Sequence, residues 1–342
     1  MNTPFRSSLR LLPAIVVLAA SVSLTSQAQT SLVTEVRAIN TTVGDMDRAI
    51  HFYSHVLDFQ TVSDTEVAGN SYEHLEGVFG SRIRVVRMRL GDEFIELSEY
   101  LAPRGRPIAL DAHSNDRSFQ HIAIIVSDID QAFRRLRENK VEYVSSSPQR
   151  LPDWNKNAAG IEAFYFKDPD GHPLEILHFP SDKGLEKWHH PGGRLFLGID
   201  HTAIVVGDTE ASLKFYRDLL GMRVVGESEN YGSEQEHLNN VFGARLRITS
   251  LRATAGPGVE LLEYLTPRTG SAFPADEHAN DVIHRQTEFV SRNAANAAQK
   301  LLEAHADFVS SGVVSESDAG LGFHKAFLVR DPDGHAVLIE EQ

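Results

Sequence analysis

The chain of 342 residues contains no cysteine. This absence excludes a disulfide framework, thiol catalysis and thiolate metal sites, so any metal ion must bind imidazole, carboxylate or amide groups. Positive charge is also scarce, because 33 lysines and arginines face 47 aspartates and glutamates and leave a formal net charge of −14. A field of this sign repels nucleic acids and anionic membranes, and we expect neither as a partner.

Long hydrophobic runs are scarce as well, and the longest one lies near the start of the chain. Arg6 and Arg10 precede the apolar run Leu11–Leu24, and Ser26-Gln27-Ala28 then fits a small-x-small cleavage site. We therefore expect residues 1–28 to be a cleavable signal peptide, with an uncleaved membrane anchor as the alternative. Cleavage would leave 314 residues with a net charge of −16, located in the periplasm or secreted.

The rest of the sequence repeats itself. Tyr72–Leu75 returns as Gln235–Leu238, and Asp168–His172 returns unchanged as Asp331–His335, both at an offset of 163 residues. A repeat of this length indicates a tandem duplication of a whole domain.

Each half divides again into two units of similar pattern. An alternating strand leads to a helix with an aspartate at its N-cap, such as Asp45 or Asp128, and three more strands follow. The Asp-Pro-Asp-Gly segments are turns before the last strand. The sequence thus predicts an α+β fold of four βαβββ modules. The predicted domains are residues 34–180 and 196–342, joined by a linker at 181–195, and the predicted modules are residues 34–103, 118–179, 197–267 and 283–342.

Two of the predicted first strands of modules have a histidine as their second residue. In Gln120–Val126 and Asp200–Val206 the side chains alternate, so His121 and His201 point away from the face that packs on the helix. On later strands Glu175 and Glu260 stand between apolar residues, where an unpaired carboxylate is costly to bury. A cation shared between a histidine and a glutamate of neighbouring strands removes that cost, and this predicts a metal site.

With these features the chain resembles the vicinal oxygen chelate superfamily, which includes glyoxalase I, methylmalonyl-CoA epimerase, extradiol dioxygenases and bleomycin-resistance proteins. The run Asp168–Leu177 is the most specific part, because the superfamily's glutamate ligand follows such a turn. The resemblance implies that modules pair into curved eight-stranded cups and that one divalent ion (Ni, Co, Zn, Mn or Fe(II)) binds there. It also implies a small-molecule substrate and a monomer or homodimer.

The resemblance assigns two positions per module, one on the first strand and one on the last. These are Ala38 and Glu96, His121 and Glu175, His201 and Glu260, and Gln286 and Leu338. If modules 2 and 3 share a cup, His121, Glu175, His201 and Glu260 form a complete set, and a degenerate cup keeps Glu96 and Gln286. If each half closes on itself, the sets are Glu96/His121/Glu175 and His201/Glu260/Gln286. We favour the first pairing, because one whole site beside one eroded site is a common outcome of duplication.

The implied activity is that of a metal-dependent lyase or isomerase of the glyoxalase type. Its substrate chelates the ion through adjacent oxygens, and Glu175 or Glu260 detaches to act as the catalytic base. Two alternatives stay open: an Fe(II) extradiol-type dioxygenase, and a non-catalytic ligand-binding protein of the bleomycin-resistance kind. We expect His172 and His335, which directly follow turns, to be exposed, and His74 and His237 are candidate substrate contacts on a loop.

Overall fold

The computed structural model describes Met1, residues 31–316 and residues 321–342. The expected signal peptide therefore lies outside the described residues. Ser31–Gln342 forms one compact unit. Among the described residues, no helix combines the length and the apolar character that a membrane span requires.

The predicted α+β class with four βαβββ modules is confirmed. Module 1 consists of β1 (Glu35–Thr42), α1 (Met46–His55), β2 (Gln60–Ala68), α2 (Asn70–Glu76), β3 (Arg82–Leu90) and β4 (Glu93–Ala102). Module 2 consists of β5 (Gln120–Val126), α3 (Ile129–Glu138), β6 (Gln149–Arg150), β7 (Glu162–Lys167) and β8 (Pro173–His178).

The second half repeats this order after a short 3-10 turn, Glu186–His189, in the linker. Module 3 consists of β9 (Phe196–Val206), α4 (Thr209–Leu213) with a π-helical continuation (Lys214–Leu219), β10 (Arg223–Tyr231), α5 (Ser233–Asn239), β11 (Arg245–Arg252) and β12 (Gly258–Thr266). Module 4 consists of β13 (Arg285–Val290), α6 (Ala294–Glu303), β14 (Asp307–Phe308), β15 (Val314–Ser315), β16 (Lys325–Arg330) and β17 (Ala336–Glu341).

The first helix of each module begins where a side chain caps it. Asp45 accepts a hydrogen bond from the backbone N–H of Arg48 at 2.9 Å, and Asp128 accepts one from Gln131 at 2.7 Å. Such a cap satisfies a donor that the first helical turn leaves free, which is worth about 1 kcal/mol. The two predicted caps are confirmed.

The strands form two sheets, and each sheet combines modules of different halves. One sheet has the order β10-β11-β12-β9-β5-β8-β7-β6, so it contains modules 2 and 3. The other has the order β14-β16-β17-β13-β1-β4-β3-β2, with β15 beside β16, and contains modules 1 and 4. We call the cavity-forming faces of these sheets the first cup and the second cup. The favoured pairing of modules is the one observed.

The two largest hydrophobic cores mainly follow the halves rather than the sheets, whereas two smaller apolar clusters lie inside the cups. One core joins Tyr53 of α1 with Ile122 of β5 and Leu136 of α3, so it is shared by modules 1 and 2. A second core is shared by modules 3 and 4 and includes Tyr216 and Phe289. Each fully buried side chain of this size contributes roughly 1.5–3 kcal/mol. The first helices of the modules, α1, α3, α4 and α6, thus pack on the faces opposite the cups, whereas α2 and α5 contribute residues to the cup linings.

The expectation that His172 and His335 are exposed is wrong, since they are only 1% and 3% exposed. Asp168 explains the burial of His172. Its carboxylate accepts hydrogen bonds from the backbone N–H of His172 at 2.9 Å and from Nδ1 of the ring at 2.8 Å, and the hydroxyl of Tyr53 donates to it at 3.2 Å. The turn therefore folds its histidine inward, and Nε2 of His172 donates to the carbonyl of Val282 at 2.6 Å.

The second half repeats this arrangement. Asp331 accepts hydrogen bonds from the backbone N–H of His335 at 2.9 Å and from the hydroxyl of Tyr216 at 3.0 Å. Nε2 of His335 donates to the carbonyl of Val205 at 2.9 Å. Because Val282 immediately precedes module 4 and Val205 lies in module 3, these histidines connect modules across the fold.

Candidate metal centre

Four adjacent strands of the first cup each contribute one of the predicted ligands. His121 lies on β5, Glu175 on β8, His201 on β9 and Glu260 on β12, in a sheet where these strands are neighbours. Single ligand atoms of His121, Glu175 and His201 lie within 4.8 Å of one another. The Nε2 atom of His201 is 3.7 Å from Oε2 of Glu175 and 3.3 Å from Oε2 of Glu260. All four predicted residues are therefore brought together.

The strand register explains this convergence. On the parallel pair β5 and β8, Glu175 lies opposite Ala123, two residues after His121. On the antiparallel pair β5 and β9, His201 lies opposite Ala123 and the next pair joins Ile124 to Ile199, so Asp200 is an extra, bulged residue. A bulge redirects a side chain that regular alternation would place on the other face.

The bulge places the carboxylate of Asp200 beside His201. Nδ1 of His201 donates to Oδ2 of Asp200 at 3.0 Å, which directs Nε2 toward the two glutamates. Oδ1 of Asp200 accepts hydrogen bonds from Nε1 of Trp188 at 3.0 Å and from Nη2 of Arg252 at 2.8 Å. Burial raises the pKa of Asp200, but His201, Arg252 and Trp188 outweigh it and hold the pKa below its ordinary value.

The Asp200→Asn variant tests this supporting role. Asparagine still accepts a hydrogen bond but loses the charge that fixes His201, so we expect metal affinity to fall about 10–100-fold while the fold is kept. Competition with a chelating dye measures the affinity. The matched control is Asp182→Asn, whose side chain is 75% exposed. Equal affinities of the two variants would contradict the role of Asp200.

The chemistry of these side chains fits a divalent ion. The ring of His121 is 1% exposed, and neither of its nitrogens has a hydrogen-bond partner among the described residues. Glu175 approaches Nε2 of His121 to 3.1 Å, without hydrogen-bond geometry. An unsatisfied buried polar group costs about 1–3 kcal/mol, and a cation on Nε2 would remove part of that cost. Two imidazoles and two carboxylates form a donor set that such an ion accepts.

The two histidines differ in protonation when no ion is bound. Burial lowers the pKa of His121 despite the opposing effect of Glu175, so its ring is neutral and ready to bind a metal. For His201, burial lowers the pKa, but Glu260, Asp200 and Glu175 together raise it to about 9. Metal binding near neutral pH therefore has to displace a proton from His201.

A cavity of about 510 Å³ opens above the four residues. Its buried lining includes Leu238, Leu262 and Tyr165, which belong to one apolar cluster. Its rim includes Lys156, which is exposed, and Lys183, which is half-buried. The cavity thus has an apolar floor beside the polar ligands, and its edge contains two lysines as well as Glu227, which is paired with Arg247 at 3.0 Å.

One wall of the cavity is a segment between β6 and β7 that reaches across to module 3. Nδ2 of Asn155 donates to Oδ1 of Asn230 at 2.6 Å, and Nδ2 of Asn157 donates to the carbonyl of Glu227 at 2.6 Å. At its outer edge the ring of Trp154 lies against that of Tyr231, with centroids 4.2 Å apart. These contacts join the two modules over the site.

Comparison with known proteins agrees with this architecture. The family model described as "Glyoxalase/Bleomycin resistance protein/Dioxygenase superfamily" matches residues 36–176 and 198–339. The chain belongs to this superfamily. The crystal structure of glyoxalase I from Zea mays aligns with a TM-score of 0.60 and 16% identity over 90% of this chain and 92% of that chain. At this identity the likeness concerns the fold.

Relatives with named activities include an epimerase and a lyase. A 2-epi-5-epi-valiolone epimerase of Actinomyces is 31% identical over 152 residues, which are 43% of this chain and 80% of that protein. A lactoylglutathione lyase of Arabidopsis thaliana is 24% identical over 248 residues, which are 72% of this chain and 74% of that protein.

The other predicted positions lie elsewhere. Glu96 and Gln286 line the second cup, so the alternative sets that combine them with ligands of the first cup are not assembled. Glu263, the other glutamate in the middle of β12, faces the helix and accepts a hydrogen bond from the hydroxyl of Thr209 at 2.8 Å. His74 and His237 are exposed on α2 and α5, which the sequence did not predict as helices. Neither histidine lines the cavity of its cup.

Sequence reasoning missed the residues that support the ligands. Asp200 directly precedes His201, and regular alternation would place the two on opposite faces. Only the bulge in β9 places Asp200 beside the ring of His201, and no pattern in the sequence predicts this bulge. Trp188 lies in the linker, for which the sequence predicts no role.

Proposed function

We propose that this chain is a divalent-metal-dependent enzyme of the glyoxalase lyase or isomerase type, acting on a small molecule that offers two adjacent oxygens. The observation that carries the proposal is the convergence of His121, Glu175, His201 and Glu260 in one cavity. The epimerase and the lyase among the relatives support this reaction class.

The residues of the cup have distinct tasks in such a reaction. The two histidines and two glutamates would hold a divalent ion, and its Lewis acidity would lower the pKa of a C–H bond beside the substrate's oxygens. Glu175 and Glu260 reach His201 from opposite sides, so a carboxylate is present on each side of the site to accept or return a proton. Ser250 donates to Oε1 of Glu260 at 2.5 Å, which leaves Oε2 for this task.

Hydrogen–deuterium exchange tests the proposal with a panel of compounds and does not require the natural substrate. The untagged protein is loaded separately with Ni²⁺, Co²⁺, Zn²⁺, Mn²⁺ or Fe²⁺, since its donor set accepts all of them. We expect metal-dependent exchange at the carbon beside the carbonyl of at least one α-hydroxycarbonyl compound, followed by NMR. A fully metal-loaded protein that exchanges no proton on any compound of the panel would contradict the proposal.

One observation favours a second candidate, an Fe(II)-dependent ring-cleavage dioxygenase. His121, His201 and Glu175 are the tightest group in the site, and two histidines with one carboxylate are the ligand set of many non-haem iron oxygenases. Oxygen uptake by the Fe²⁺-loaded protein with a panel of catechols distinguishes the two activities. A protein that retains no metal but binds a small molecule would instead be the non-catalytic alternative.

We also propose that the protein is exported and that its signal peptide is removed after Ala28. The motif at residues 1–28 supports this location. N-terminal sequencing of the exported protein should start at Gln29, and an intact Met1 in that fraction would contradict cleavage. Its oligomeric state, monomer or homodimer, follows from light scattering on the same sample.

From the two lysines at the rim we propose that the substrate carries an acidic group away from its chelating end. Nζ of Lys183 is held at the cavity edge by the carbonyl of Lys156 at 2.9 Å, lies 3.9 Å from the exposed carboxylate of Asp182 and has further donors to offer. A charge-assisted hydrogen bond at such a partly exposed position is worth roughly a factor of ten in affinity.

Lys183→Met should therefore weaken binding of 2-oxoglutarate to the metal-loaded protein about tenfold. Binding of 2-oxopentanoate, which has the same chelating end but no distal carboxylate, should not change. Isothermal titration measures both constants, and Lys300→Met on α6 serves as the control. An equal loss for both compounds would show that Lys183 acts on the structure rather than on the acidic group.

A further inference from the structure

The second cup repeats the strand geometry of the metal centre without its donors. Register equivalence places Gln286, Ala38 and Leu338 at the positions of His121, His201 and Glu175, and only Glu96 matches its counterpart, Glu260. Only one carboxylate thus remains at the four equivalent positions.

A bulge of the same kind nevertheless occurs in β1. The pairing of β1 with β13 steps from Val36 opposite Phe289 to Ala38 opposite Glu288, so Arg37 is the extra residue. Arg37 precedes Asp200 by 163 residues, the offset of the repeat, and Asp200 is the bulged residue of β9. In the first cup the bulge places a carboxylate, which orients a histidine, and in the second cup it places a guanidinium.

The guanidinium of Arg37 lies among buried carboxylates. The side chain is 6% exposed. Its Nη1 donates to the carboxylate of Glu340, and its Nη2 donates to Oε1 of Glu96 at 3.3 Å and to the carbonyl of Leu321 at 2.8 Å. Both acids line the second cup, so the centre of this cup already contains a positive charge.

A third carboxylate in the cup has an atom without a partner. Glu288 is 1% exposed, and its Oε2 forms no hydrogen bond within the described part of the chain. Burial and the charge of Glu96 raise the pKa of Glu288, which favours its neutral form. Arg87 adds a second guanidinium 3.6 Å from Glu96. The cup therefore balances its charges with its own side chains.

Arg37 also lines two cavities. The inner cavity, lined by Arg37 and Glu288, measures about 30 Å³, which is room for a single water molecule. The outer cavity, lined by Arg37, Arg87 and Phe94, measures about 450 Å³. A substrate-sized molecule that reached the outer cavity would meet the guanidinium rather than an open cup.

We propose that the second cup is a cation site that the chain's own Arg37 occupies, and that removing this side chain exposes a site for a hard divalent cation. The ligands there would be the carboxylates of Glu96, Glu288 and Glu340, and all-oxygen donors of this kind suit Ca²⁺ or Mn²⁺. The intact chain accordingly binds metal in the first cup alone. This inference does not depend on the activity proposed for the first cup.

The test uses Arg37→Met in a full chain whose first cup is disabled by His121→Ala and Glu175→Gln. Equilibrium dialysis against ⁴⁵Ca²⁺ should find one bound Ca²⁺ per chain, at least about tenfold tighter than any binding by the same chain with Arg37 present. Melting temperature should rise with Ca²⁺ and, separately, with millimolar guanidinium, which replaces the missing side chain. The control is Arg84→Met, which removes an arginine paired with Asp47 and Asp64 at the surface.

A folded Arg37→Met chain that takes up no Ca²⁺ and gains no stability from either cation would overturn the proposal. If this variant fails to fold alone, the proposal requires that Ca²⁺ or guanidinium restores folding, and failure of both would again overturn it. Arg37→Lys keeps the charge, so it should fold and bind no Ca²⁺. If Arg37→Lys took up as much Ca²⁺ as Arg37→Met, the positive charge of residue 37 would not be what keeps Ca²⁺ out of the site.

Discussion

His121→Ala is expected to weaken divalent-metal binding about a hundredfold. A four-ligand site is worth roughly 10–16 kcal/mol, so each ligand contributes about 3 kcal/mol. His121 makes no hydrogen bond within the described residues, and its close polar neighbour there is its fellow ligand Glu175 at 3.1 Å, so its removal takes away a ligand without breaking a hydrogen bond. Chelator competition at pH 7.5 measures the affinity, and turnover should fall with metal occupancy.

His237→Ala is the matched control for this variant. His237 is exposed on α5, close to the first cup but outside the cavity lining. We expect it to keep the metal affinity of the unaltered protein. If His121→Ala kept that affinity as well, the assignment of His121 as a ligand would be wrong.

Asp168→Ala should lower the free energy of unfolding by about 3–5 kcal/mol, the cost of removing one partner of a buried ion pair. Asp168 accepts hydrogen bonds from the ring and backbone of His172 and from Tyr53. His172 in turn connects module 2 to Val282, just before module 4. Urea unfolding measures the loss, and Asp153→Ala, whose side chain is 80% exposed, should change stability by less than about 0.5 kcal/mol.

The same carboxylate predicts how stability depends on pH. Burial raises the pKa of Asp168, but His172 and Arg285 outweigh it and hold the pKa below its ordinary value. Its stabilising contribution is therefore complete above the unfolded pKa of about 3.9 and disappears as the pH falls through the lower, folded value. Urea midpoints between pH 2 and pH 5 should show a smaller acid-induced loss for Asp168→Ala than for the unaltered protein. Equal slopes of the urea midpoint against pH for the two proteins would contradict this role of Asp168.

Much of the fold could be predicted because local and periodic signals agree. Asp45 and Asp128 mark helix starts by a mechanism that needs only neighbouring residues. The alternation around His121 and His201 fixes which face each ring occupies. No local signal predicts how the modules pair. The prediction rested on the candidate ligands, and it was correct because modules 2 and 3 contain a histidine or a glutamate at all four ligand positions.

The remaining features depend on contacts that local patterns do not contain. Each bulge, at Arg37 and at Asp200, inserts one extra residue opposite a partner strand that lies more than 75 positions away in the sequence. His172 follows a turn, a place where histidine is ordinarily exposed, yet a carboxylate four residues earlier draws it inward. The bulges depend on long-range strand pairing, and the buried position of His172 also requires Tyr53 and Val282 from distant parts of the chain, so the residue types alone could not reveal either feature.

The number of divalent ions that the protein binds tests directly whether modules 2 and 3 form a single metal centre. Elemental mass spectrometry on the untagged, reconstituted protein should find one equivalent per chain. That equivalent should persist in Glu96→Gln, which alters the second cup, and should be lost in His201→Ala, which alters the first. Two equivalents in the unaltered protein, none after reconstitution, or loss of the ion with Glu96 would contradict a single metal centre formed by modules 2 and 3.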